Sequence, residues 1–242
     1  MRCLARLMIV GTCLFSMIAA ARAQGVDVSA RIVLHGGRRP GDAGLKKNMD
    51  ASDVVMWLSP LQTVEARPTS PGHPPYRLLQ KGKQFTPHLL VVQTGSNVEF
   101  PNADPFFHNV FSLFNGKRFD LGLYESGSSK SVRFDREGVS YIFCNIHPEM
   151  AAVVLALSTP FYGVSQSNGI LVIHGVPPGS YQLHVWSEHA KPTSQSKLQQ
   201  VVQISGEALN LEEIGMELTA NPLSNHTNKF GEEYKPVPGP PY

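Results

Sequence analysis

Short stretches in which apolar residues alternate with polar ones, or follow one another directly, dominate the chain. Gly, Pro, Asn or Ser interrupts them about every ten residues, and no long stretch repeats its apolar residues at helical spacing. This pattern predicts an all-β protein. Only residues 208–216 are expected to form a helical turn. The candidate strands are residues 28–34, 54–58, 88–93, 96–100, 130–134, 139–144, 152–157, 169–174, 181–186 and 198–204.

Changes in composition divide the chain into segments. Residues 67–75 contain four prolines, which remove backbone donors and fix φ, so this stretch is expected to be a loop or linker. A second boundary lies near residues 158–160. Residues 221–242 are rich in Pro, Asn and Lys, and this composition predicts an extended, loosely attached tail.

The first 23 residues have the pattern of a secretory signal peptide. Arg2 and Arg6 precede an apolar run over residues 7–21, and small residues lead to Ala23. The apolar run is short for a membrane span, and no later stretch approaches the roughly 20 apolar residues that such a helix needs. Export to the periplasm follows from this interpretation, without stable membrane insertion. A lipid anchor on Cys13 is an alternative that Thr12 disfavours.

Cleavage of the signal peptide changes the charge of the chain. It removes three arginines and no acidic residue, and so leaves 18 basic and 19 acidic side chains. No block of like charge remains, so the composition offers no surface for nucleic acid or for anionic lipid. Cleavage also removes Cys3 and Cys13, leaving Cys144 as a single thiol in a compartment that favours disulfides. A lone thiol there is exposed to oxidation unless a ligand occupies it, which points to a metal.

A short motif surrounds this thiol. Cys144, His147 and Met150 follow a candidate strand and precede another apolar run, so a tight loop would carry all three side chains. Thiolate, imidazole and thioether suit a soft or borderline metal, and two His with one Cys and a weak axial Met are typical of blue-copper sites. His108 is the candidate for the second histidine. Asn109 beside it could donate a hydrogen bond that orients the site or tunes the thiolate.

Each of these residues also has an ordinary structural interpretation. Cys144 alone could be a buried thiol, Met150 core packing and His147 a loop residue. Their joint spacing favours a metal, and copper over zinc, because structural zinc sites rarely use Met. Isolated histidines such as His88 have no partner at ligand spacing. Four apolar residues near the proposed ligands are either core packing or a collar where a redox partner docks: Phe106, Phe107, Ile146 and Pro148.

Around these motifs the sequence resembles the plastocyanin-like cupredoxins, and the spacing of its ligand loop is closest to the amicyanin kind. Residues 85–88 and 95–100 are similar to the cupredoxin opening, and the resemblance covers about residues 82–157. The fuller pattern, residues 119–124 followed by 144–150, looks like the periplasmic proteins often labelled methylamine utilization proteins. The resemblance implies one type 1 copper in a cupredoxin β-sandwich.

The flanking segments resemble a different sandwich. Residues 165–186, with a Pro-Pro-Gly turn at 177–179, look like the end of a carboxypeptidase-regulatory, transthyretin-like (prealbumin-like) domain. Residues near 28–34 and 54–60 resemble its start. We therefore expect residues 25–66 and 158–220 to pack as one small sandwich, possible because the ends of compact domains tend to lie close together. The cupredoxin domain is then inserted in it, or flanked by it.

Two functional hypotheses follow. The first is a non-catalytic carrier of single electrons, with a cytochrome c or a periplasmic dehydrogenase as partner. The second is a copper-binding protein for storage, sensing or delivery without rapid redox cycling, although the sequence lacks the exposed Met or His cluster expected of one. A multicopper oxidase would need His-x-His pairs, which the sequence lacks. A purely structural module with a degenerate site is the remaining alternative.

Overall fold

A computed structural model describes residues 25–36, 50–63, 75–113, 116–219 and 227–234. The predicted signal peptide, with Cys3 and Cys13, lies outside these residues, as does most of the proline-rich stretch 67–75. The described residues form strands joined by turns, with one short helix, α1 (Pro192–Lys197). The all-β prediction is confirmed. None of the helices in the described part of the chain is long and apolar enough to cross a membrane.

All ten predicted strands overlap observed ones, and others were not predicted. In chain order the strands are β1 (Val26–His35), β2 (Val55–Pro60), β3 (Tyr76–Arg77), β4 (Leu79–Gln80), β5 (Phe85–Thr86), β6 (Leu89–Gln93), β7 (Ser96–Pro101), β8 (His108–Ser112), β9 (Phe119–Tyr124), β10 (Ser129–Phe134), β11 (Gly138–Cys144), β12 (Ala151–Leu157), β13 (Tyr162–Val164), β14 (Ile170–Val176), β15 (Gly179–Trp186), β16 (Gln200–Ile204) and β17 (Leu209–Glu217).

Strands from both ends of the described chain form one sandwich, here called the terminal sandwich. Its sheets have the orders β14-β1-β17 and β13-β2-β15-β16. Residues in β15 alternate between fully and partly buried, as expected for a strand with one face on a core. Ile32 and Leu171 from the first sheet share a hydrophobic cluster with Leu58 and Leu183 from the second. The segments before and after the middle of the chain are therefore held by a common core.

The middle of the chain forms a second sandwich, here called the central sandwich. Its larger sheet has the order β6-β12-β11-β8-β9, and the smaller sheet has the order β10-β7-β3, with the short pair β4-β5 beside them. Phe100 and Phe134 from the smaller sheet share a buried cluster with Val110, Ile142 and Val154 from the larger one. This core positions β8 and β11, the two strands that carry proposed ligands.

The two sandwiches share a smaller apolar cluster. Leu155 and Leu157 on β12 contact Val55 on β2 and Val91 on β6, while Val154 on β12 belongs to the core of the central sandwich. Alternate residues of β12 thus face two different apolar surroundings, which explains why this strand is apolar at every position. The domain boundaries at 25–66, 82–157 and 158–220 stay a proposal, which the shared sheets and cores support.

The helical turn predicted over residues 208–216 is wrong, because this stretch forms β17. Its apolar residues do not alternate strictly, since an extra residue interrupts the pairing with β1. Glu212 occupies the bulge with φ of 59°, and its N–H donates to the Asn210 side chain. A bulge changes the spacing of the residues that face the core, which made the strand pattern look irregular.

Residues 227–234 belong to the predicted loose tail, and for this stretch the prediction of loose attachment is wrong. The backbone N–H of Lys229 donates to the Asn145 side chain at 2.9 Å, and the Tyr234 hydroxyl donates to the Cys144 carbonyl at 3.0 Å. These bonds attach the segment to the central sandwich. Residues 221–226 and 235–242 lie outside the described residues.

Candidate metal centre

Two neighbouring strands bring His108 and Cys144 together. Cys144 is the last residue of β11, and it pairs with Val110 of β8, two residues after His108. Phe143 on β11 also pairs with Ala151, the first residue of β12. The loop between Cys144 and Ala151 must therefore reverse the chain within a few residues and return its side chains to the end of β8.

Backbone hydrogen bonds close this loop. The N–H of Met150 donates to the His147 carbonyl at 3.0 Å, and the N–H of Cys144 donates to the Met150 carbonyl at 3.2 Å. The N–H of Asn145 donates to the Asn109 carbonyl at 3.2 Å and ties the loop to β8. The residues of the loop are thus fixed relative to the strand that carries His108.

The ligand atoms of His108, Cys144 and His147 all lie within 4.8 Å of one another. The two Nδ1 atoms are 3.1 Å apart, and the Cys144 sulfur lies 3.7 Å from Nδ1 of His108 and 3.5 Å from Nδ1 of His147. A metal about 2.0 Å from imidazole nitrogen and about 2.3 Å from thiolate sulfur fits among atoms at these separations. In the described part of the chain, this is the one group of at least three His, Cys, Asp or Glu residues able to hold a metal.

Met150 is fully buried in the same hydrophobic cluster as Cys144. Its backbone bonds to Cys144 and His147 hold it at the end of the ligand loop. Its role as the fourth ligand stays a prediction.

Asp104 orients His108, a role that its position in the sequence did not predict. Nε2 of His108 lies 2.9 Å from the Asp104 carboxylate. Because a carboxylate accepts hydrogen bonds, the proton of His108 belongs on Nε2, and Nδ1 presents its lone pair to Cys144 and His147. The N–H groups of Gly82 and Lys83 donate to the same carboxylate at 2.6 and 3.0 Å. Burial raises the pKa of Asp104, but hydrogen bonds from Lys83, His108 and Gly82 outweigh it and keep this pKa below its usual value.

The surroundings also affect the other two ligands. Burial raises the pKa of the Cys144 thiol, and backbone N–H groups of Asn109, Ile146 and His147 oppose that shift. Burial lowers the pKa of His147, and the nearby His108 lowers it further, so the neutral imidazole is favoured. Neutral imidazole is the form that binds metals.

Asn109 donates hydrogen bonds from both its side chain and its backbone, and its role beside the metal stays a prediction. Its side-chain amide donates to the Asp120 carboxylate at 2.7 Å, and Asp120 also accepts from the Gly122 N–H at 2.9 Å. The contribution of Asn109 to the Cys144 sulfur comes from its backbone N–H. The backbone of Asn109 thus contacts the Cys144 sulfur, while its side chain contacts Asp120.

The four residues of the predicted docking patch differ in exposure. Phe107 and Ile146 are 55% and 39% exposed, and Pro148 is exposed as well. Phe106 is partly buried, with its ring centre 5.2 Å from that of His108 and 5.6 Å from that of His147. Phe106 thus packs against both proposed imidazole ligands, while the other three residues present apolar surface to solvent.

His88 lies away from this cluster. Its Nε2 is 2.6 Å from the carboxylate of Glu188, which is almost fully buried. The bond to Glu188 raises the pKa of His88, against the opposing effect of burial. His88 lies just before β6 and Glu188 lies just after β15, so this pair connects the two sandwiches.

No family model matches the chain, and no curated protein matches it. Among solved structures, a purple cupredoxin from Nitrosopumilus maritimus is 23% identical over 34% of this chain and 99% of its own, with a TM-score of 0.31. A reduced amicyanin variant is 18% identical over 37% of this chain and 87% of its own, with a TM-score of 0.33. A copper-containing nitrite reductase from Thermus scotoductus is 21% identical over 52% of this chain but 28% of its own, with a TM-score of 0.34. At these low scores, the functional interpretation depends on the residues of the site.

Proposed function

We propose that this protein binds one type 1 copper through His108, Cys144, His147 and Met150 and carries single electrons between redox partners. The observation that carries the proposal is the convergence of one thiol and two imidazole nitrogens within 4.8 Å. His108 and Cys144 are fully buried, whereas His147 is only partly buried. The site is thus enclosed except near one imidazole.

The donor set favours copper over zinc. A thiolate, two imidazoles and a buried thioether nearby match the ligands of one-electron copper sites, whereas structural zinc sites use four Cys or His ligands. When bound, copper would supply the one-electron redox chemistry. Met150 is the proposed weak ligand, and its complete burial leaves little room for an added water beside it.

The residues around the ligands would keep them in one arrangement. The Asp104 carboxylate holds the His108 ring, and the loop bonds hold Cys144, His147 and Met150. Ligands that cannot rearrange favour fast electron exchange, because little reorganisation is needed when the charge of the ion changes. The site therefore suits repeated transfer of electrons, and we propose no catalytic reaction.

The partly exposed His147 and the apolar residues Phe107, Ile146 and Pro148 mark the proposed exit for the electron. A cytochrome c or a periplasmic dehydrogenase is the proposed class of partner, with a small interface typical of transient redox encounters. Periplasmic location follows from the predicted signal peptide. The nearly balanced charge of the processed chain disfavours nucleic acid as a partner.

Titration of the purified apoprotein with Cu(II) tests the proposal. We expect one equivalent of copper to produce an intense visible band from thiolate-to-copper charge transfer, and Cys144→Ser to lack this band. The matched control is Ser140→Ala, a change at a buried position on the same strand, which should retain the band. A colourless copper adduct of the unmodified protein would overturn the proposal.

A second measurement separates electron transfer from copper storage or delivery. Fast electron exchange between Cu(I) and Cu(II) forms, with slow loss of copper to a chelator, is the expected result. Slow exchange with rapid, complete transfer to the chelator would favour storage or delivery instead.

A further inference from the structure

Residues 227–234 form an ordered turn beside the metal centre. The Asn228 side chain accepts hydrogen bonds from the N–H groups of Phe230 and Glu232 at 2.9 and 3.0 Å. The Gly231 N–H donates to the Asn228 carbonyl at 3.0 Å. An Asn that accepts from the following N–H groups is a common way to stabilise a turn. The segment therefore has a fixed local shape and can present its side chains in defined directions.

This turn contacts the ligand loop at two consecutive residues. The Tyr234 hydroxyl donates to the Cys144 carbonyl at 3.0 Å, and the Lys229 N–H donates to the Asn145 side chain at 2.9 Å. A phenol is protonated at neutral pH, so the Tyr234 hydroxyl acts as the donor in this bond. The bonds therefore attach the turn to the first two positions of the loop.

The same turn reaches β8 through Asp120 on β9. The Lys229 ammonium group donates to one oxygen of the Asp120 carboxylate at 2.8 Å. The other oxygen accepts from the Asn109 side chain at 2.7 Å, and Asn109 follows His108 directly. The turn, β9 and β8 are thus connected through an ion pair in which the Asp120 side chain is 40% exposed, and through the part-buried bond from Asn109. Both bonds end on an ionised carboxylate, and hydrogen bonds to charged groups are stronger than those between neutral groups.

We propose that residues 227–234 act as a strap that holds the ligand loop against β8 and β9, with Tyr234 and Lys229 as positioning residues. The strap restrains the backbone of Cys144 and links the loop to the strand that carries His108. Its effect on bound copper rests on the proposed function. Its restraint of the loop does not, since every bond described joins two groups of the chain itself.

The first test uses the apoprotein and requires no metal. Cys144 is fully buried, so a thiol reagent can reach it only when the loop opens. We expect Tyr234→Phe to speed modification of the peptide that carries Cys144 about two- to tenfold, the effect of one ordinary hydrogen bond on an opening equilibrium. Hydrogen exchange at the Asn145 amide should accelerate by a similar factor.

Tyr181→Phe is the matched control, because the Tyr181 hydroxyl donates to the Pro177 carbonyl at 2.8 Å in the terminal sandwich. It removes the same kind of bond far along the chain from the ligand loop. We expect Tyr181→Phe to lower overall stability without changing the modification rate of Cys144 in the native state. Equal rates for Tyr234→Phe and the unmodified protein would overturn the proposal.

The second test uses the copper-loaded protein. We expect Tyr234→Phe and Lys229→Met each to speed loss of copper to a chelator about two- to tenfold and to shift the visible band or the reduction potential. Glu233→Gln, an exposed change within the same segment, should leave these properties unchanged. If the protein shows no blue-copper band, the proposed function fails. The rates of Cys144 modification and of hydrogen exchange at Asn145 still test the strap in that case. A normal band, with unchanged rates of Cys144 modification and of hydrogen exchange at Asn145 in both variants, would refute the strap alone.

Discussion

His108 donates from Nε2 to the carboxylate of Asp104 at 2.9 Å, and both residues are buried. This bond determines which nitrogen of His108 faces Cys144 and His147. Backbone N–H groups of Gly82 and Lys83 hold the carboxylate in turn. The orientation of one proposed ligand thus depends on a turn 26 positions before it in the sequence, which the folded central sandwich brings into contact.

Replacing Asp104 with Asn should weaken copper binding. The variant loses the negative charge that fixes the His108 tautomer, and loss of such a partner typically costs about 10- to 100-fold in metal affinity. Competition with a copper chelator measures the change. Asp135→Asn is the control, because Asp135 pairs with Lys117 at an exposed position on the same sandwich. Equal affinities for the two variants would contradict the role of Asp104.

Truncation of Leu157 should destabilise both sandwiches. Its side chain is 1% exposed in the cluster that the sandwiches share. Leu157→Ala is expected to lower the free energy of unfolding by about 2 to 5 kcal/mol, measured by chemical denaturation. Val201→Ala, at a site that is 62% exposed, should change it by less than about 0.5 kcal/mol. A similarly small loss for Leu157→Ala would show that the shared cluster contributes little.

The pair of His88 and Glu188 should make stability depend on pH. The bond to Glu188 raises the pKa of His88 above its ordinary value of 6.5. The contribution of this pair to the free energy of unfolding is therefore fully present below about pH 6.5. It is lost as the pH rises through the raised pKa of His88. Because the His88 side chain is 44% exposed, we expect this contribution to be about 1 kcal/mol or less.

Denaturation of the unmodified protein and of His88→Gln between about pH 5.5 and pH 9 measures this contribution. The difference in free energy of unfolding between the two proteins should be largest at the acidic end of this range. Glu188→Gln removes the carboxylate that raises this pKa most, and in that background the effect of His88→Gln should vary less with pH. A difference that grows toward alkaline pH would contradict the predicted sign.

The exposed apolar residues near His147 should control the rate of electron transfer. Phe107→Ser or Ile146→Ser is expected to slow reduction by a cytochrome c without altering the visible spectrum, because neither residue is a proposed ligand. Leu61→Ser, at a residue that is 55% exposed directly after β2 of the terminal sandwich, is the control. The rate should also depend little on salt, since the proposed contact is apolar. Unchanged rates in both variants would place the docking surface elsewhere.

The parts of the molecule that were predictable from sequence are those in which the signal is local. Strict alternation identified β15, and close spacing identified Cys144, His147 and Met150 as one loop. The bulge at Glu212 disturbed the alternation of β17 and led to the wrong prediction of a helical turn.

Other features depend on contacts between distant parts of the sequence. Tyr234 contacts Cys144 across 90 positions, and no spacing rule covers such a separation. Asp104 lies only four positions before His108, so its spacing was visible. Its role was not, because it depends on the backbone of the Gly82 turn that holds the carboxylate.

X-ray absorption spectroscopy of the copper-loaded protein is the most direct test of the proposed site. The proposal predicts one copper per chain, with one short bond to sulfur and two bonds to imidazole nitrogen in both oxidation states. The sulfur contribution should vanish in Cys144→Ser. Copper bound only by nitrogen and oxygen in the unmodified protein would contradict the proposed site.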